Sequence, residues 1–163
     1  MAVPDAVRLL ADQLEVYLAL FYPHMPAIAR EAIVGRYALR PLKGRLPVVA
    51  GIVTSNHARH EFTNYELLLD ELSGRGIEQH RKKARSLVAD DLNRIVKEWC
   101  RGAPVSHPAL GAIRRRYKRI YGQQKRLSVV EFDPGKDVAD ENAELAEFCQ
   151  RWLHGHFETI DEI

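Results

Sequence analysis

Glu78-Gln79-His80-Arg81-Lys82-Lys83-Ala84-Arg85-Ser86-Leu87-Val88-Ala89-Asp90-Asp91-Leu92-Asn93-Arg94-Ile95-Val96-Lys97-Glu98-Trp99-Cys100 is the stretch on which the fold class turns. Ala84, Leu87, Val88, Leu92, Ile95, Val96 and Trp99 recur at three- and four-residue intervals, which places them on one face of an α-helix. Gly102 stands where a left-handed residue closes such a helix. Arg81, Lys82, Lys83 and Arg85 fall off the apolar stripe and are expected in solvent.

The same period extends in both directions. Toward the N-terminus, Val7, Leu10, Leu14, Leu18 and Phe21 predict a helix over Asp5–Phe21, broken by the prolines of Tyr22-Pro23-His24-Met25-Pro26. A second helix is expected from about Pro26, burying Ile28, Ala32, Ile33 and Tyr37. Arg40 to Pro47 reads as a connector. From Val48 to about Arg59 the β-branched residues suit strand or helix, and the continuing rotation of Asn56, His57 and His60 favours helix. Thr63-Asn64-Tyr65-Glu66 has the form of a capping box opening a short leucine-rich helix that ends at Ser73-Gly74. Beyond the central helix, Ser106-His107-Pro108 starts a helix through Tyr121, with Leu110, Ile113, Tyr117 and Ile120 inside and Gly122 as its stop. A short extended segment is expected near 127–132, then a turn at Asp133 to Lys136. The last helix, about Val138–Phe157, should bury Leu145, Phe148, Cys149, Trp152 and Leu153. The fold class is therefore mainly α: one domain over residues 1–163, a compact bundle of about six to seven helices.

Composition agrees with a folded domain. With 46% hydrophobic and 28% charged residues in 163, the chain can bury a core, which excludes disorder and a disulfide scaffold. Cys100 and Cys149 read as free thiols of a reducing compartment. The start, Met1-Ala2-Val3-Pro4-Asp5, lacks the basic and apolar regions of a signal peptide, so a cytoplasmic location is expected.

The net charge of +2 conceals a segregation. Residues 75–126 carry 15 basic and 4 acidic side chains, whereas residues 127–163 carry 2 basic and 10 acidic. Arg114-Arg115-Arg116-Tyr117-Lys118-Arg119 is the densest part of the basic segment. On a helix whose apolar stripe is Ile113, Tyr117 and Ile120, these cations cover most of the remaining circumference and could neutralise several phosphates. Arg81, Lys82, Lys83 and Arg85 would extend that footprint if the two helices lay side by side. The expected function is thus association with nucleic acid, DNA or RNA, through phosphates. Two alternatives stand beside it: an oligomeric adaptor in which the acidic tail meets the basic helix, and a metal-dependent, nuclease-like hydrolase. The apolar face is too poor in bulky residues for a membrane-surface helix. No glycine-rich phosphate loop or serine elbow occurs, and no cofactor is implied.

The hydrolase alternative rests on the polar run Asn56 to Glu66. His57 and His60, three apart, share a helix face, and with Glu61 they could serve as metal or acid–base groups. The zinc-protease order His-Glu-x-x-His is absent, and a metal site needs three or four ligands, so no metal is assigned. A second reading makes His57, Arg59, Glu61 and Tyr65 a buried hydrogen-bond network. In a third, His57, Arg59 and His60 grip a phosphate or carboxylate.

This run also carries a resemblance. Phe21 to Pro26, Arg30-Glu31-Ala32-Ile33, the core at His57–Tyr65, Ala84 to Val88 and Trp99 together resemble the bacterial domain of unknown function 2293, over about residues 21–99. Arg59, His60, Thr63 and Tyr65 match its core pattern Arg-His-x-x-Thr-x-Tyr-Asp, with Glu66 in place of the aspartate. The resemblance implies a compact helical domain with a shared polar core, and no reaction.

Overall fold

The computed structural model describes residues 4–72, 77–126 and 134–155, side chains 124–126 and 134 excepted. Seven helices follow one another: α1 (Asp5–Phe21), α2 (Ala27–Leu39), α3 (Leu46–Phe62), α4 (Tyr65–Glu71), α5 (Glu78–Trp99), α6 (Pro108–Arg126) and α7 (Pro134–Leu153). No strand occurs among the described residues, and the expected extended segment at 127–132 lies outside them. None of the described helices is long and apolar enough to cross a membrane.

α1 is the spine of the main core. Leu14 and Leu18 are wholly buried, with Phe21 and Tyr17 beside them. Full burial of a leucine contributes about 1.5–3 kcal/mol. α1 is flanked by α2 and α7, while α3 lies at the centre of the family of contacts, touching α1, α2, α4 and α5. Leu110, Ile113 and Tyr117 of α6 join this core, as do Leu145, Phe148 and Cys149 of α7. Tyr65 and Leu69 of α4 pack on Ala84 and Val88 of α5 in a smaller cluster of their own. The β-branched run of α3 is helical, with Pro47 in its first turn, where a missing N–H costs nothing.

Several apolar stripes are rotated from their expected positions. On α2 the buried row is Ala29, Ile33 and Tyr37, whereas Ile28 is 76% exposed and Ala32 is exposed too. On α5, Leu87 is 58% exposed, and on α7 Leu153 is 45% exposed. The buried arc is narrower than the apolar arc, and the crossing neighbours decide which edge of it is covered.

The helix ends differ as well. Gly102 has φ +85°, the left-handed closure expected after α5. Gly122, expected to stop α6, instead lies inside it, where glycine costs only about 1 kcal/mol relative to alanine. Pro134 to Lys136 belong to the first turn of α7 rather than to a turn. The capping box does not form as expected: Thr63 Oγ1 accepts from the Tyr65 amide at 3.2 Å and donates to the Arg59 carbonyl at 2.5 Å. The Glu66 carboxylate reaches the His60 imidazole. Asn64 occupies the cap position.

Candidate nucleic-acid interface and basic cavity

α6 has three sides. Leu110, Ile113 and Tyr117 point into the core. Arg116 lies on the edge facing α7, where its guanidinium holds both oxygens of Glu144 at 2.6 and 2.5 Å. Tyr117 donates to the same carboxylate at 2.9 Å. At a helix's 100° per residue, Arg115 and Arg119 then form the row opposite the core, and Arg114 with Lys118 the adjacent row on the flank away from Arg116, where Arg114 acts on the buried Tyr17 phenol. All four are exposed, and none is ion-paired among the described residues. The acidic segment therefore meets the basic helix along one edge. The described part of α7 leaves the outer rows open.

Another carboxylate of α7, Glu141, serves the fold. Glu141 is buried, yet its charge is compensated: Arg45 Nε donates to it at 2.9 Å and Tyr121 Oη at 2.5 Å. Burial, reinforced by this carboxylate, raises the Tyr121 phenol, and the bond to Glu141 raises Arg45. Tyr117 is likewise pushed up to about 12, by burial first and Glu144 second. Asn142, also buried, accepts the Leu46 amide at 2.6 Å and donates to the Gly44 carbonyl at 2.9 Å, so a side chain of α7 caps α3.

The arginines of α5 go elsewhere. α5 packs mainly on α3 and α4, and α6 on α7, so the two basic segments do not lie side by side as one footprint. Lys82 and Lys83 are exposed. Arg81 and Arg85 instead line a cavity of about 550 Å³ with the ends of α2 and α3 and with α4. Arg85 also holds Glu78 at 3.1 Å, and Arg81 is 3.9 Å from it.

The polar run supplies the opposite wall. His57, Arg59, His60, Tyr65 and Glu66 all line this cavity, joined by Arg36 of α2 and Arg40, the residue that caps its C-terminus. His57 is buried, and that burial lowers its imidazole below the ordinary 6.5. Arg59 Nη1 donates to Asn56 at 2.9 Å, and its guanidinium lies 5.8 Å from the Tyr65 ring centre. Glu61 is exposed and takes no place in the network expected of it; Asn56 and Glu66 are the hydrogen-bonding partners instead. Among the described residues, no group of three or more His, Cys, Asp or Glu side chains is placed to hold a metal. His57, His60 and Glu61 therefore do not assemble the ligand set of the hydrolase reading.

Arg36 and Arg40 were not legible as site residues from local motifs. A signal exists: like charges four apart on a helix repel, as Arg81 and Arg85 of α5 do, and Arg36 and the α2 cap residue Arg40 share that spacing. Both cysteines are free; burial pushes the Cys149 thiol up to about 12, which makes it inert core.

No curated protein matches this chain, and no solved structure does. A family model, described as Uncharacterized conserved protein (DUF2293), matches residues 17–100, just over half of the chain. That span holds the cavity residues and ends before α6, which places the polar run and the basic helix on different footings. The chain belongs to this uncharacterized family.

Proposed function

We propose that this protein associates with nucleic acid, whose phosphates are held by the outer face of α6. What supports the reading is one observation: Arg114, Arg115, Lys118 and Arg119 stand exposed in two rows without carboxylate partners among the described residues, while Glu144 takes Arg116 alone. Packing does not explain four adjacent cations, because the core side of α6 is complete without them. Each one neutralises a phosphate and releases a condensed counterion, which is the main source of sequence-independent affinity. No base-reading element is part of this proposal. DNA and RNA are both candidates.

The test is binding of a mixed-sequence duplex by fluorescence anisotropy. Arg115→Glu with Arg119→Glu should abolish binding and leave the helical circular dichroism unchanged. If that variant binds as the parent does, α6 is not the interface.

A further inference from the structure

The basic cavity lined by α2, α3, α4 and α5 carries chemistry that the α6 reading does not use. Five arginines line it (Arg36, Arg40, Arg59, Arg81 and Arg85), against a single carboxylate, Glu66, which is held by His60. They come from three helices separated by long stretches of chain. Such convergence of like charge favours the arrival of a compensating anion. Arg36 and Arg40 have no ion-pair partner among the described residues. The pair that Glu78 makes with Arg85 is solvent-exposed on both sides, and such pairs contribute only about 0–1 kcal/mol, so an incoming anion can displace it.

Apart from Asn56 and the two histidines, the remaining lining is apolar or aromatic. Ile33, Tyr37 and Leu69 are buried side chains at the cavity wall, and the Tyr65 ring lies beneath Arg59. A volume of about 550 Å³ lies within the range of small-molecule sites. A half-apolar, half-guanidinium cavity suits a ligand with an organic body and a compact, doubly charged head. Planar guanidinium forks match phosphate oxygens in geometry, and a dianion can engage several at once.

We propose that this cavity binds a phosphomonoester carried on a nucleotide-sized organic group, the phosphate among the arginines and the body against the apolar wall. The site shares no residue with the α6 rows, so either proposal can fail alone. A free nucleotide and the phosphorylated end of a nucleic-acid strand present this same chemistry.

Isothermal titration calorimetry on the full chain tests it with two matched pairs. These are adenosine 5′-monophosphate against adenosine, and a short single strand with a 5′-phosphate against the same strand with a 5′-hydroxyl. At least one phosphorylated probe should bind about ten-fold or more tightly than its counterpart, the loss expected when charge-assisted hydrogen bonds are removed. If the nucleotide pair shows this contrast, the source is a free nucleotide; if only the strand pair does, it is a strand end. Arg36→Gln with Arg40→Gln, both exposed positions, should remove the contrast, whereas Arg115→Glu with Arg119→Glu should leave it intact. Equal affinities within both pairs overturn the proposal, as does a contrast that survives loss of Arg36 and Arg40. The comparison of probes on the parent protein needs no variant to fold.

Discussion

The salt dependence of duplex binding can be worked out from the α6 geometry. Four cations, Arg114, Arg115, Lys118 and Arg119, are exposed and unpaired among the described residues, whereas Arg116 is already neutralised by Glu144. For B-DNA the slope of log K against log salt is about −0.9 per phosphate contacted, so this face contributes about −3.6. Between 50 and 200 mM salt its contribution to affinity should fall roughly 150-fold. Arg115→Gln with Arg119→Gln should lower the steepness by about 1.8. Arg116→Gln should leave it nearly unchanged, because Glu144 and not a phosphate occupies that guanidinium. Anisotropy with a mixed-sequence duplex across a potassium chloride series reads all three. A parent slope near zero would mean that these cations contact no phosphate. An Arg116→Gln effect as large as that of Arg115→Gln would mean that the α7 carboxylate does not divide the helix into two sides.

Two further outcomes follow from the fold. Asn142→Ala removes one buried and one part-buried hydrogen bond and uncaps α3, which should cost about 2–4 kcal/mol and lower Tm by roughly 5–15 °C. Urea unfolding showing no loss would mean that α7 does not cap α3. For His57, the folded pKa lies below the ordinary 6.5 because burial disfavours the charged ring. The unfolded chain therefore binds the proton first as pH falls, and stability is complete above pH 6.5 and declines on acidification below it. His57→Gln should flatten that part of the stability–pH profile; an unchanged decline would assign it to other groups.

The helices were legible because their apolar spacing is local, and α1 and α5 lie within a residue of where the pattern puts them. What the pattern lacks is the partner. Ile28 and Leu87 sit at the edge of apolar arcs whose coverage is decided by crossing helices, and α6 runs on through Gly122 although that residue type favours a helix end. The site divides in the same way. The cations of α6 form one contiguous run, so their exposure follows from Ile113 and Tyr117 alone. The cavity draws Arg36, His57 and Arg81 from three helices, and no spacing in the chain connects them. Glu61 shows the converse: on α3 it turns outward and reaches His57 only through its charge, while α4 brings Glu66 to His60.

Amide chemical-shift mapping by ¹H–¹⁵N NMR, titrating the parent protein with a mixed-sequence duplex, addresses the interface most directly. The account predicts that the largest changes fall on Arg114, Arg115, Lys118 and Arg119 and fade as salt is raised. Changes confined to other helices, or none at duplex concentrations that saturate anisotropy, would contradict it.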